Sequence, residues 1–416
     1  MANPSSPSLD NYAKARALMA RDQYLDAALI LRDGLEHEFA GNPFAEVDLA
    51  NCYYMLGDYV SYRKYTLRAL SEYRAGHAPL RADERAGLAL GLGRALEELG
   101  LVDEALRLYD ASPEHAATMR SRKLLAQKLR LQSELGLHEE VRLAYLSCIQ
   151  MLDEDGNEEV DFQNAMLFVD HALFGPAASL KRYAKLHLSP RLQRSDQRLL
   201  FFNLLGLVLF SPGPLETKLA GYLDSFDYFS CDPFERCLYD LARIRQGLPP
   251  FETLGLERSA LLSPMCGFRF LLALSVSLPE ASLLETRREF MARLESLTVP
   301  SRRLIAKAFT LPHPTLEIEV GTAEAVCAGR QIDFGKSRNA LVLLSLFADK
   351  QRLTYEELSR SHFNCELDEN GLSRIKMAIS RLNKALSKQL GFPALIFMAK
   401  DDVRLIENVS IRRRGT

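Results

Sequence analysis

From about residue 9 to about 310, apolar residues recur at three- and four-residue spacing with no sustained alternation. That period predicts a succession of amphipathic helices and no sheet. Breaks fall at Gly41-Asn42-Pro43, at Gly76 to Pro79, at Ser211-Pro212-Gly213-Pro214, at Leu248-Pro249-Pro250 and at Leu311-Pro312-His313-Pro314. After the last break the period changes. Thr315 to Val320 alternates, and Glu324 to Ala328 and Gln331 to Phe334 follow with Gly321 and Gly329 between them, which predicts three short strands at hairpin spacing. Helices are then expected over Ser337–Ala348 with Leu341, Leu344 and Phe347 inward, from Thr354 to about Ser361, and from about Asn370 to Leu390. Two strands, Leu395–Met398 and Val403–Ile406, close the pattern as a hairpin around Ala399 to Asp402. The expected organisation is a helical domain over 1–312 and a small α+β domain over 313–416, ordered β-β-β-α-α-α-β-β.

The helical part repeats itself. Asp22 to Ala27, Gly57 to Tyr62, Gly100 to Ala105 and Gly136 to Val141 each place a turn five residues before a marker position. The markers at 27, 62, 105 and 141 are spaced by 35, 43 and 36 residues, with a weaker copy at Gly175 to Leu180. A glycine permits a sharp helix-to-helix turn, and a small residue five later lets two helices approach. In Gly57-Asp58-Tyr59 and Asp103-Glu104-Ala105 the chain resembles the tetratricopeptide repeat, most clearly over 9–185; Tyr62 and Val141 stand where that family has a small residue. The resemblance implies an α-solenoid of helix hairpins with a groove for a protein or peptide partner. Tyr53, Tyr54, Tyr59 and Tyr62 are expected to serve repeat packing.

The last long helix carries the most specific pattern. At 100° per residue Ile375, Ala378, Ile379, Leu382 and Leu386 share one stripe. Ser373, Met377, Ser380 and Lys384 lie opposite, flanked by Lys376 and Asn383 on one edge and by Arg374, Arg381 and Lys388 on the other. Five Lys and Arg fall between 373 and 388 with no acid among them. Charge of one sign on a helix fixed by its apolar face suits docking in the DNA major groove, with long cations reaching phosphates and shorter groups facing base edges.

The segment 314–408 resembles the winged helix-turn-helix output domain of OmpR/PhoB-type bacterial regulators, as found in antibiotic-regulatory activators. Leu316 to Val320, Arg330 to Phe334, Leu341 to Phe347, Leu353 to Leu358 and Ala378 to Leu386 carry the likeness. It implies a mainly helical protein ending in a winged helix that binds double-stranded DNA, with contacts from Lys376, Met377, Ser380, Arg381 and Lys384. It also implies a phosphate contact near Thr354 and wing contacts from Lys400 and Arg404. Ser373, Arg374 and Lys388 complete the candidate set from their place on the helix. Asp401-Asp402 stands where the family carries a glycine and an aromatic residue, and two acids at the wing tip are expected to repel phosphate. The family's usual order, DNA domain first and repeats last, is reversed here.

Charge sharpens this picture. The chain of 416 residues has 52 Lys and Arg against 54 Asp and Glu, a balance that gives no hint of nucleic acid. Divided at residue 312, the C-terminal part holds 16 against 13 and the remainder 36 against 41, so the neutrality is a cancellation. An excess of only +3 argues for a second copy, a homodimer, at physiological salt. The bases are clustered, five on the helix and three in Arg412-Arg413-Arg414.

Catalytic patterns find no support. Phe334-Gly335-Lys336-Ser337 ends like a phosphate-binding loop, but Arg330 stands where the first glycine is required. Ser373 and Lys376 match S-x-x-K only by spacing. The seven cysteines are scattered without a C-x-x-C pair, and Cys231 and Cys237 lack companions at zinc-ligand spacing. No enzyme activity, cofactor or metal is expected. MANPSSPSLDN has no basic or apolar leader region, and the longest apolar run, Leu199 to Phe210, is too short to span a membrane. The expected protein is a cytoplasmic transcription regulator. A protein-interaction adaptor, whose winged helix no longer binds DNA, is the competing expectation.

Overall fold

The computed structural model describes residues 7–76, 80–110, 119–145, 160–189, 192–211, 213–278, 280–311, 316–319, 324–327, 330–334, 338–348, 350–363, 367–390, 396–405 and 411–413. The chain is mainly helical, with the strands among the described residues confined to the C-terminal part, and divides into two compact units. One contains residues 1–273 and 293–310; the other contains 274–292 and 311–416. The stretch 274–292, read from its period as part of the helical domain, thus groups with the second unit. Leu284 from this stretch is buried in one core with Leu341, Leu344 and Phe347.

In the first unit successive helices form hairpins: Pro7–Met19 with Tyr24–Glu36, Pro43–Met55 with Tyr59–Ala75, Ala82–Glu98 with Val102–Asp110, and Val160–Phe174 with Pro176–His187. The first helices of the hairpins also pack on one another in a row: Pro43–Met55, Ala82–Glu98, Met119–Glu134, Val160–Phe174 and Arg194–Leu209. The turn signals of the sequence have one physical form. Asp22, Gly57, Gly100 and Gly136 adopt φ of 60, 73, 73 and 66°. At each, that residue's N–H donates to the carbonyl three residues back, and the next N–H donates to the carbonyl five back (Gly100 to Glu97, Leu101 to Leu96). This left-handed closure satisfies two carbonyls left over at the helix end. The marker residues Ala27, Tyr62, Ala105 and Val141 are all buried. Tyr62, where a small residue was expected, is buried with its hydroxyl donating to Ala95 O at 3.0 Å on helix Ala82–Glu98.

Two of these glycines should respond differently to an added methyl group. At Gly57 a Cβ meets nothing within 4 Å, so Gly57→Ala carries only the left-handed backbone penalty, about 1 kcal/mol. At Gly100 the same Cβ would stand 3.0 Å from Leu297 Cδ2, and Gly100→Ala is expected to cost about 2 kcal/mol. Urea denaturation followed by circular dichroism measures both; equal losses would show that the Leu297 contact yields freely.

In the second unit the three predicted strands are Leu316–Glu319, Glu324–Cys327 and Arg330–Ile332, joined antiparallel with Leu316 opposite Cys327 and Ala325 opposite Ile332. A fourth strand, Ile411–Arg413, pairs parallel to the first. Here the basic tail Arg412-Arg413 is sheet backbone with Ile411 buried beside it, while Arg414 lies outside the described residues. A second sheet orders Arg352–Thr354, Asp402–Leu405 and Ile396–Met398, so the predicted hairpin gains an edge strand. Helices Arg338–Ser345, Tyr355–Leu358 and Glu369–Leu390 lie between strands in sequence, with one π-helical turn, Ser359–Phe363, continuing the second. Ser337, the expected helix cap, lies outside the described residues. Among the described residues no helix is long and apolar enough to cross a membrane.

Candidate nucleic-acid interface

Helix Glu369–Leu390 has 22 residues, about 33 Å at 1.5 Å per residue. Asp368 Oδ1 receives Gly371 N–H at 2.5 Å and starts it. Ile375, Ile379, Leu382 and Leu386 are buried against Leu341, Leu344, Phe347, Leu358 and Ile396, and Ala378 packs half-buried beside them. One side of the helix is therefore fixed by burial.

Two side-chain clamps fix it further. Asn383, read as part of the polar edge, turns to the sheet: its Nδ2 donates to Ile396 O at 2.7 Å and its Oδ1 accepts Ile396 N–H at 2.9 Å. Gln389 does the same for Asp333, accepting its N–H at 2.9 Å and donating to its carbonyl at 2.6 Å. Arg288 donates to the Gln389 carbonyl, a cation at the helix C-terminus where the peptide dipoles favour it. Asn383→Ala leaves both polar groups of Ile396 without that partner and should destabilise the unit by about 2 kcal/mol. Urea denaturation tests this; a change below about 0.5 kcal/mol would mean the clamp adds nothing.

The other side of the helix is exposed. Ser373, Arg374, Lys376, Met377, Ser380, Arg381, Lys384 and Lys388 all face solvent, and none of the five cations has an ion-pair partner among the described residues. Ser373, Lys376, Met377 and Ser380 line a shallow depression with Glu369 and Met398. Arg374, Met377 and Arg381 border a second one, walled by Phe334, His362 and Phe363. Met398, read only as the end of a predicted strand, and Phe363 were not among the candidate contacts.

The remaining candidates lie on neighbouring elements. Thr354 caps helix Tyr355–Leu358: its Oγ1 accepts Glu357 N–H at 3.1 Å, and the Glu357 carboxylate accepts Thr354 N–H at 2.8 Å, the reciprocal box the sequence predicts. Lys350 Nζ, 2.7 Å away, is the first cause that holds Glu357 below the usual carboxylate range. Tyr355 ties this cap to the hairpin turn by donating to Ala399 O at 2.9 Å. Lys400 is exposed on that turn.

The expected pair of repelling acids is corrected. Asp402 is covered on the outer face of its sheet, where Arg404 grips it through two bonds of 2.9 and 3.1 Å and Arg352 pairs with it from the adjacent strand. The Arg404 hydrogen bonds, followed by the charge of Arg352, hold its carboxyl below the usual range. Cross-strand register puts Arg352 opposite Arg404 and next to Asp402 on one face. Only Asp401 faces solvent at the turn. The Arg404 guanidinium is paired with Asp402 while its side chain stays exposed.

No family model matches the chain, and neither a curated protein nor a solved structure matches it.

Proposed function

We propose that the chain is a DNA-binding transcription regulator of the bacterial cytoplasm. Its C-terminal part is a winged helix-turn-helix of the OmpR/PhoB kind, with Glu369–Leu390 as recognition helix and Ile396–Leu405 as wing. Its N-terminal part is a solenoid of degenerate tetratricopeptide-like hairpins that binds a partner or a second copy of the chain. The observation that carries this reading is the exposed set Arg374, Lys376, Arg381, Lys384 and Lys388, with no acid between residues 373 and 388 and no ion pair among the described residues, on a helix held by Ile375, Ile379, Leu382 and Leu386. A helix of this width enters the major groove, where a cationic face meets phosphates on both sides while Ser373, Met377 and Ser380 face base edges. Thr354, at the start of helix Tyr355–Leu358, and Lys400 are the flanking backbone contacts. Pairing with Arg352 and Arg404 offsets the charge of Asp402, one of the two acids behind the adaptor reading, and leaves Asp401 exposed.

Selection of fragmented genomic DNA on the purified full chain, followed by sequencing, tests the proposal. A recurrent motif among the retained fragments is expected. Retention without any enriched sequence, or none at low salt, would sink it.

A further inference from the structure

The row of first helices in the helical unit, with Tyr62, Phe234 and Arg269 from other helices, lines an open cavity of about 540 Å³, within the range of small-molecule sites. Its floor is an ion-pair cluster. Arg130 pairs with Glu97 and, at 3.1 Å, with Glu134; Arg269 grips Glu134 at 2.5 and 2.8 Å and approaches Glu98 only to 3.7 Å. Three carboxylates thus share two guanidiniums, and Glu98 holds the weakest share. Its other partners are neutral, the Ser263 hydroxyl and the Cys266 thiol, and a quarter of its side chain is open. Elsewhere in the lining Asp161 pairs with Arg94 at 2.6 Å and Lys123 at 3.3 Å and Asp48 with Arg16 at 3.7 Å, so within the cluster the long, weak contact falls to Glu98.

Aromatic surface flanks that charge. Tyr54 and Tyr62 line the same cavity with ring centroids 5.2 Å apart. Burial, and after it the charge of Glu98, pushes both hydroxyls upward, so the rings are neutral phenols at neutral pH. A carboxylate lacking a full counter-charge beside two electron-rich rings is the environment that binds an organic cation.

We propose that this cavity binds an alkylammonium group, its charge on Glu98 and its methylenes against Tyr54 and Tyr62. This deepens the binding role proposed above for the helical unit and rests on it. The ammonium belongs either to a free small amine or to a lysine side chain of a polypeptide, and the two are told apart by the probe. Titration calorimetry of the full chain with 1,5-diaminopentane and with N-acetyl-lysine-methylamide is expected to show saturable heat for at least one, and none for neutral 1-pentanol. Diamine alone assigns the free amine, and lysine amide alone assigns the polypeptide. Glu98→Gln should weaken binding about tenfold or more. Should that variant lose its helical circular dichroism, Tyr54→Leu serves instead, with an expected loss of roughly threefold to thirtyfold. No heat from either amine, equal heat from 1-pentanol, or undiminished binding in a folded variant would overturn the inference. DNA retention on the same preparation separates the two readings, because it fails only if the proposed function fails.

Discussion

Replacing Arg381 and Lys384 together with alanine is expected to abolish measurable DNA binding near physiological salt while leaving the fold intact. Both side chains are exposed, lack an ion-pair partner among the described residues and lie on the face away from Leu382 and Leu386, so the thermal midpoint should hold. With about five cations each displacing a counterion, the logarithm of affinity falls with the logarithm of salt at a slope near −4.5. Between about 50 and about 200 mM salt that is a fall of roughly 500-fold. The double variant keeps about three contacts, and its slope should flatten to about −2.7, a fall of roughly 40-fold. Fluorescence anisotropy on a labelled duplex, titrated with salt, reads both slopes. Wild-type binding insensitive to salt would exclude the cationic face as the contact surface. An unchanged slope in the double variant would place the phosphate contacts elsewhere.

The features that drive this prediction were legible in the sequence because they are local. The stripe from Ile375 to Leu386 repeats at the helical period, and a 100° projection separates buried from exposed residues correctly at Ile375, Ile379, Leu382 and Leu386. Asn383 escaped the projection because its amide is recruited by Ile396, thirteen residues away, across an element boundary. The repeat turns were legible for a similar reason: a left-handed helix end nearly demands glycine, and Asp22 is tolerated there as one of the few side chains that visit that region. Strands Arg352–Thr354 and Ile411–Arg413 were not legible. Three residues are too few to display alternation, and their partners lie far along the chain, at Asp402–Leu405 and Leu316–Glu319.

Asp402 shows the same limit at a single residue. Two adjacent acids read as exposed repulsion, yet Asp402 at the start of its strand is covered by Arg404 and Arg352, and Arg352 becomes a partner only through cross-strand pairing. The cavity is the extreme case. Tyr54, Glu98, Arg130, Glu134 and Arg269 come from four helices spread over more than two hundred residues, and no local pattern connects them. The tyrosines do pack within the repeats as expected, Tyr53 stacking on Tyr65 at 5.5 Å, but Tyr54 and Tyr62 also face the cavity.

Glu134→Gln is expected to cost about 3–5 kcal/mol, the largest single-residue loss of stability among these variants. The carboxylate is buried and joins two guanidiniums from different helices, Arg130 on its own helix Met119–Glu134 and Arg269 on helix Pro264–Ser277. Burial alone pushes such a carboxyl upward, but the charges and hydrogen bonds of Arg269 and then Arg130 outweigh it and hold it below the usual range. Neutralising it leaves Arg130 to Glu97 alone and Arg269 with only the distant Glu98, and neither cation can recover its hydration. Because the native carboxyl lies below its unfolded value of about 4.3, its contribution is complete above that pH and is lost as pH falls through the native value. The difference between wild type and variant should therefore be full at pH 7 and shrink below about pH 4, measured by urea denaturation at both. A constant difference would show that the loss comes from packing and not from charge. A difference below about 1 kcal/mol at pH 7 would mean that water enters the cavity and solvates both arginines, so that the ion-pair cluster contributes to ligand recognition and not to folding.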